Sequence, residues 1–528
     1  MGSHQPFLPR VLRNLRPSHQ HGPAAATMLM TAAQMLSRVV GLVREKYIAF
    51  AFGANGQTDA FYAANTLPDY LYYIVAGGAA SITFITIYTR YLTEKRENEA
   101  NHVFSTVLTV MVVVLGALIL LGEWFTPQIV GFILPGFRGR PAELLNCVRL
   151  TRILMPTQLF FYVGGVLSAV LLTHRMFLVP ALTPIVFTLG IIGGGVVLSH
   201  QMGIASLAVG AVAGVIAGPF LINAIAASRT GIRYRPAFDL RDEGFREWVR
   251  LSIPLMLGVS LASADEWIMR AFASSDVGAI SHLNYAKRLF AAPYAVLGLS
   301  VGVASMTFFA RMFSEGRLSE FAGRINDSIY RAAAASLLLS AWLWAAALPT
   351  VDLLFRGGRF HLADARETSR YFAVFGASLA LWTAQALYAR AFYAARNTLV
   401  PMIAATTITA ASVPIFWAAF RAWGVMGLAI ASDIGIAAQT LALAVLLDRR
   451  RLVLLREMKW AGLGKALLVA LAALAAGVLA GRLFQAAGSR WHDVAVIAVI
   501  TLVWAAVCWI GLRLLRSDLL VALSRRAA

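Results

Sequence analysis

Residues 103–122 read VFSTVLTVMVVVLGALILLG, an unbroken apolar run without a charged side chain. At ~1.5 Å per residue a helix of this length covers ~30 Å, the hydrocarbon thickness of a bilayer. The apolar positions are continuous, so they carry neither the alternation of a half-buried strand nor the single stripe of a helix lying on a water-soluble core. In hydrocarbon every backbone amide and carbonyl must be satisfied within the chain, and a continuous run does that as a helix.

Outward from this run, comparable spans lie near 27–51, 60–89, 145–173, 177–198, 203–227 and 251–273. A second series lies near 280–310, 329–348, 371–394, 398–420, 425–447, 463–484 and 492–512. The expected fold class is all-α, a polytopic membrane protein with about fourteen transmembrane helices. Composition agrees: 59% of the 528 residues are hydrophobic and 14% charged, and mean hydropathy is +0.70. A water-soluble fold of this length could not bury so much apolar surface.

Residues 1–26 carry Arg10, Arg13 and Arg16 but no apolar stretch leading to a small-residue cleavage site, so they read as a cytoplasmic tail. With that end inside, the cytoplasmic loops hold Lys95 and Arg96, then Arg229, Arg233, Arg235, Arg241 and Arg246, then Arg449, Arg450, Arg451, Arg456 and Lys459. The opposite loops hold few basic residues, which places both termini in the cytoplasm. The net charge of +20 follows from this bias and from anionic lipid, and implies no nucleic acid. The segment 229–250, basic with interspersed acids, is expected to form an amphipathic interfacial helix.

Cys147 and Cys508 stand far apart with no clustered partner, which points to neither a disulfide framework nor a metal site. No nucleotide-binding loop, zinc-protease motif or nucleophile elbow occurs, so neither an ATP motor nor a hydrolase is expected. The chain reads as a membrane transporter without a cofactor, with Na+, H+ or the membrane potential as candidate drivers. Ala79–Phe84 (AASITF) recurs 224 residues later as Val303–Phe308 (VASMTF), with Pro68 and Pro293 upstream at nearly the same offset. Two pseudo-repeated lobes of the kind that build transporters are expected.

Charges at bilayer depth are costly unless they face protein or a wet cavity, so they mark candidate sites. In SRVVGLVREK (37–46), Arg38 and Glu45 fall on nearly one helical face and Arg44 points a third of a turn away. Asp59 opens the second span, and Lys287–Arg288 lie early in the eighth. Basic groups here suit a phosphate; the alternative is that Arg38, Arg44 and Arg288 pair with Glu45, Asp59 or helix ends to hold the fold together. Asp265 and Glu266, with Arg270 nearby, and the lone acid Asp433 join Glu45 as candidates for ion coupling.

Several stretches in order resemble the MurJ/MviN lipid II flippase family of the multidrug/oligosaccharidyl-lipid/polysaccharide exporter superfamily. They are SRVVGLVREKYIAFAFGANGQTDAF (37–61), PGFRG (135–139), FLVPALTP (177–184), NYAKRL (284–289) with AVLGLSVG (295–302), LFRGGRF (354–360) and YARAFYAARNTLVP (388–401). The resemblance implies an N-lobe (27–228), the linker 229–250, a C-lobe (251–448) and two C-terminal helices with a basic tail (449–528). It implies outward translocation of an undecaprenyl-pyrophosphate glycopeptide by alternating access in the bacterial inner membrane, by a monomer whose partners are that lipid-linked glycan and membrane lipids. Carried over by motif position, Arg38, Arg44, Asp59 and Arg288 belong to the cavity, with Arg44 and Arg288 on the pyrophosphate and Asp59 their switchable ionic partner.

The chain departs from the family pattern at Tyr72, Tyr73, Gly77, Lys287 and Ala291. Either the cavity is rebuilt, with Lys287 supplying the positive charge and Tyr72 and Tyr73 stacking on sugar rings, or the substrate is another polyprenyl-linked oligosaccharide. A drug or metabolite antiporter of the same superfamily would lack the 37–46 and 388–401 motifs, and a non-transporting scaffold could keep intramembrane charges as structure. The spans 463–484 and 492–512, nearly free of central charge, look structural or line a groove for the lipid tail.

Overall fold

The computed structural model describes residues 23–73, 79–262, 264–483 and 490–519. The N-terminal tail up to residue 22 and Gly77 lie outside the described residues. Helices dominate, and the one β-bridge among the described residues, Gly357 with Phe360, closes a tight turn.

The chain forms two compact units. The first holds residues up to Ile48 and Gly56–Ser263; the second holds Ala49–Asn55 and Ala264 onward. The boundary therefore falls inside the expected seventh span, 251–273. In the first unit α1 (Pro23–Phe52), whose last turn counts with the second unit, is followed by α2 (Gly56–Ala64), α3 (Thr66–Leu71), α4 (Ala79–Thr93), α5 (Glu97–Ile133) and α6 (Pro141–Leu154). Then come α7 (Thr157–Thr173), α8 (Leu178–Met202), α9 (Ala205–Val215), α10 (Asn223–Ser228) and α11 (Glu243–Ala262). The second unit runs α12 (Ala264–Ala273), α13 (Ala279–Tyr294), α14 (Val301–Ser314), α15 (Leu318–Ala345) and α16 (Ala347–Phe355). It ends with α17 (Leu362–Ala377), α18 (Leu379–Ala394), α19 (Leu399–Arg449), α20 (Trp460–Leu483) and α21 (Arg490–Leu514).

Among the described residues seven helices are long and apolar enough to cross a bilayer, or nine if the bent pairs α15–α16 (65°) and α17–α18 (46°) each count as one span. Large apolar side chains point outward on them: Trp124 and Phe132 on α5, Leu468 on α20, Leu502 on α21. Such faces fit a hydrocarbon solvent and make this a membrane protein. Helix α19, at 51 residues, would extend ~75 Å if straight, far beyond one bilayer crossing. Gly424 breaks it with φ 57° beside a non-helical Trp423, so the two spans expected at 398–420 and 425–447 are the two halves. A positive φ is cheap only for glycine.

Small residues bring α8 and α9 together. A Cβ on Gly210 would meet the Gly190 carbonyl oxygen at 2.5 Å and the Gly194 Cα at 2.9 Å. Without a hydrophobic force between helices in lipid, this close backbone approach supplies the dispersion contacts that hold the pair. The C-terminal pair α20–α21 is tied to α15, where Trp342 donates to Thr501 Oγ1 (2.9 Å) and Trp504 to the Leu338 carbonyl (2.7 Å).

The linker corrects the expectation of a helix across 229–250: helix begins only at Glu243, and the preceding residues are irregular or extended. Pro236 lacks an amide donor and disfavours helix at the residue before it. The amides of Arg233, Arg235 and Ala237 donate instead to Asn101 Oδ1, Ser105 Oγ and Thr109 Oγ1 on α5. Two residues of extended chain advance ~6.6 Å and four of helix ~6 Å, so the two registers match. Asp239 at the end of this strap is held below the usual carboxylate range by the Arg241 amide and then by His102.

Candidate functional site

In the first unit the charged run of α1 is built around Glu45, only 1% exposed. Arg44 donates to its Oε1 through Nη2 (2.5 Å) and Nε (3.2 Å), and Tyr62 of α2 donates to its Oε2 (2.5 Å). Arg44 is 19% exposed, so the guanidinium keeps a face uncovered by protein while one edge is fixed. Asp59 is fully buried in the first turn of α2, where a carboxylate complements the positive helix end. Arg38, one face along α1, is exposed. The neighbour that fixes Arg44 is thus Glu45.

Tyr72 and Tyr73 follow α3 and meet edge to face at 5.8 Å, with Tyr72 also edge-on to Phe161 of α7 at 6.3 Å. Tyr72 is partly buried against the hydrophobic core of the first unit rather than standing clear of the protein.

In the second unit, four helices converge on Lys287. Its Nζ lies 3.2 Å from Asp265 Oδ2 of α12 and 5.6 Å from the centre of the Phe375 ring of α17. Ser432 of α19 donates to the same Asp265 oxygen at 3.2 Å, and Ser378 donates to Asp433 Oδ1 at 2.6 Å. The positive charge that distinguishes this chain at 287 is therefore matched to an acid from another span, which offsets part of its desolvation. Arg288, the next residue, lines a cavity of about 100 Å3 with Glu266, Arg270, Asn284 and Ala291. A water needs ~10–15 Å3 on this measure, so the cavity admits a small oxyanion or a few waters. Glu266 and Arg270 lie 3.6 Å apart along one face of α12.

The structure pairs Lys287 with Asp265, gives Asp265 and Asp433 a serine hydroxyl each, and sets Arg288 and Glu266 in one cavity wall. Sequence reading missed Tyr62, Ser378, Ser432 and Phe375. A tyrosine 17 residues from its acid, or a serine in an apolar helix, leaves no local pattern. Among the described residues no three His, Cys, Asp or Glu side chains group as metal ligands.

Two other motif stretches shape the backbone. In LFRGGRF, Arg356 holds Asp352 (3.1 Å) and the Arg359 amide donates to the Phe50 carbonyl (2.9 Å), securing the last turn of α1. In YARAFYAARNTLVP, Arg390 donates to the Gly298 carbonyl (3.1 Å), and Asn397 Oδ1 accepts the Val400 amide at the start of α19.

Residues 48–498 match the family model described as lipid II flippase MurJ. A probable lipid II flippase MurJ of Buchnera aphidicola is 28% identical over 389 residues, 72% of this chain and 74% of that protein. The lipid II flippase MurJ of Burkholderia cenocepacia is 27% identical over 387 residues, 71% and 74% of the two chains. Among solved structures, a lipid II flippase MurJ in an inward closed conformation superposes with a TM-score of 0.77 at 23% identity, covering 92% of this chain and 99% of that one. An inward-facing multidrug resistance MATE transporter follows the same fold with a TM-score of 0.64 at 12% identity, covering 82% and 99%. With its family model matched across most of its length, the chain belongs to the lipid II flippase MurJ family.

Proposed function

We propose that this protein moves lipid II, an undecaprenyl-pyrophosphate glycopeptide, from the inner to the outer leaflet of the bacterial inner membrane by alternating access. The observation that carries the reading is the family match over residues 48–498. In this reading about fourteen helices cross the bilayer with both termini cytoplasmic, and the protein works as a monomer. Arg44 and Arg288 contact the pyrophosphate, with Lys287 adding charge nearby. Arg44 suits the role because its guanidinium is held at one edge by Glu45 and open at the other; a fork so fixed loses little entropy when it takes a phosphate.

Coupling draws on Na+, H+ or the membrane potential. The Lys287 ammonium already sits on Asp265, which favours charge carried by the protein over Na+ at that carboxylate. The test is complementation of a bacterium depleted of its own lipid II flippase, comparing wild type with Arg288→Ala at matched expression. Growth with wild type and none with the variant supports the reading. Failure of well-expressed wild type refutes it in favour of another polyprenyl-linked glycan.

A further inference from the structure

The C-terminal helices hold a basic cleft that translocation through Arg44 and Arg288 does not use. It has a volume of about 250 Å3 and lies where the first turn of α20 meets the end of α21 and the middle of α15. Lys459, Lys465 and Arg516 supply three positive charges, against one acid, Asp518, in the lining. Lys459 also bonds Asp327 (3.0 Å), whereas Lys465 is half-buried with no ion pair among the described residues.

Three further features point to an anion. The amides of Ala461 and Gly462, in the first turn of the 24-residue α20, have no acceptor among the described residues, and they line the cleft at the positive end of the helix. Tyr330 of α15 is only 2% exposed, and its hydroxyl makes no hydrogen bond among the described residues although the side chain lines the cleft. Gly462 is needed for this approach, since a Cβ there would lie 2.7 Å from that hydroxyl. Arg516 adopts a left-handed conformation (φ 46°), which turns the chain so that Ser517 and Asp518 face the same space.

The apolar part of α20 begins a turn beyond Lys459 and that of α21 ends just before Arg516, so the cleft sits at the level where hydrocarbon gives way to headgroups. We infer that the cleft formed by Tyr330, Lys459, Gly462, Lys465 and Arg516 binds a phosphate group, donated by an anionic phospholipid headgroup or by free phosphate. Occupancy would fix the C-terminal helix pair at the membrane surface.

The test uses the full-length protein in neutral detergent, with bound lipid counted by native mass spectrometry after adding phosphatidylglycerol or phosphatidylcholine. Wild type is expected to prefer phosphatidylglycerol, with affinity about fivefold weaker in Lys465→Ala or Arg516→Ala and roughly 25-fold weaker in the double variant. A parallel titration with inorganic phosphate, read as thermal stabilisation, separates the sources. Stabilisation of wild type but not the double variant, without lipid preference, assigns free phosphate; lipid preference with no response to phosphate assigns the headgroup. If the double variant is not monodisperse, Lys465→Gln carries the comparison. Equal phosphatidylglycerol affinity in wild type and variant together with equal stabilisation of both by phosphate, or no binding of either probe to wild type, overturns the proposal. The readout is independent of flipping, so its failure leaves the proposed transport activity untouched.

Discussion

Replacing Arg44 by alanine takes the guanidinium away from the buried Glu45 carboxylate. That carboxylate is 1% exposed and receives two Arg44 hydrogen bonds, at 2.5 and 3.2 Å. Removing one partner of a fully buried ion pair costs about 3–5 kcal/mol. Because Arg44 is itself 19% exposed, the pair is not fully enclosed by protein and about 2–3 kcal/mol is the better figure. At ~2–4 °C per kcal/mol for a unit of this size, Arg44→Ala should lower the melting temperature by roughly 5–10 °C. Adding Glu45→Gln removes the buried charge while leaving an acceptor for the Tyr62 hydroxyl, so the double variant should recover to within about 1 kcal/mol of wild type.

The assay pairs thermal melting of purified protein with growth of a flippase-depleted strain. A stable double variant that fails to support growth, while Glu45→Gln alone supports it, places Arg44 on the substrate. If Arg44→Ala melts with wild type, the buried-pair reasoning is refuted. If the double variant restores both stability and growth, Arg44 serves the fold alone.

Two further outcomes follow from packing. Asp265→Asn should impair stability and growth more than Lys287→Met with Asp265→Asn together, with a coupling of about 1–2 kcal/mol in a double-mutant cycle read by thermal melting; additive single effects would mean that the Lys287–Asp265 contact carries no weight. Gly210→Val should destabilise by about 1–3 kcal/mol, because the new side chain meets the backbone of Gly190 and Gly194. Gly193→Ala, whose Cβ meets nothing within 4 Å, should melt with wild type, and equal effects of the two would refute the close-packing account.

Membrane residence and helical class are legible in the sequence because hydrocarbon imposes a local rule: a long apolar run must satisfy its own backbone, and that run is contiguous in the chain. The break at 423–424 was legible for the same reason, since Gly424 interrupts the hydropathy where it also turns the backbone. The linker was misjudged because its partner, the polar stripe Asn101–Ser105–Thr109, lies on α5, more than 120 residues earlier. Charge alternation along 229–250 says nothing of that distant row of acceptors.

The candidate site divides along the same line. That Arg38, Arg44, Glu45, Asp59, Lys287, Arg288, Asp265 and Asp433 are charges set within or beside apolar runs is a property of position along the chain, and sequence alone determined it. Which of them meet was decided by tertiary structure. Arg44 closes on its neighbour Glu45 while Tyr62 from the next helix takes the carboxylate's other oxygen, and Lys287 finds Asp265 and Phe375, and Asp265 finds Ser432, only once four helices converge. Ion pairing depends on distances of a few ångströms between residues tens to hundreds of positions apart, and no periodicity in the chain encodes such a distance.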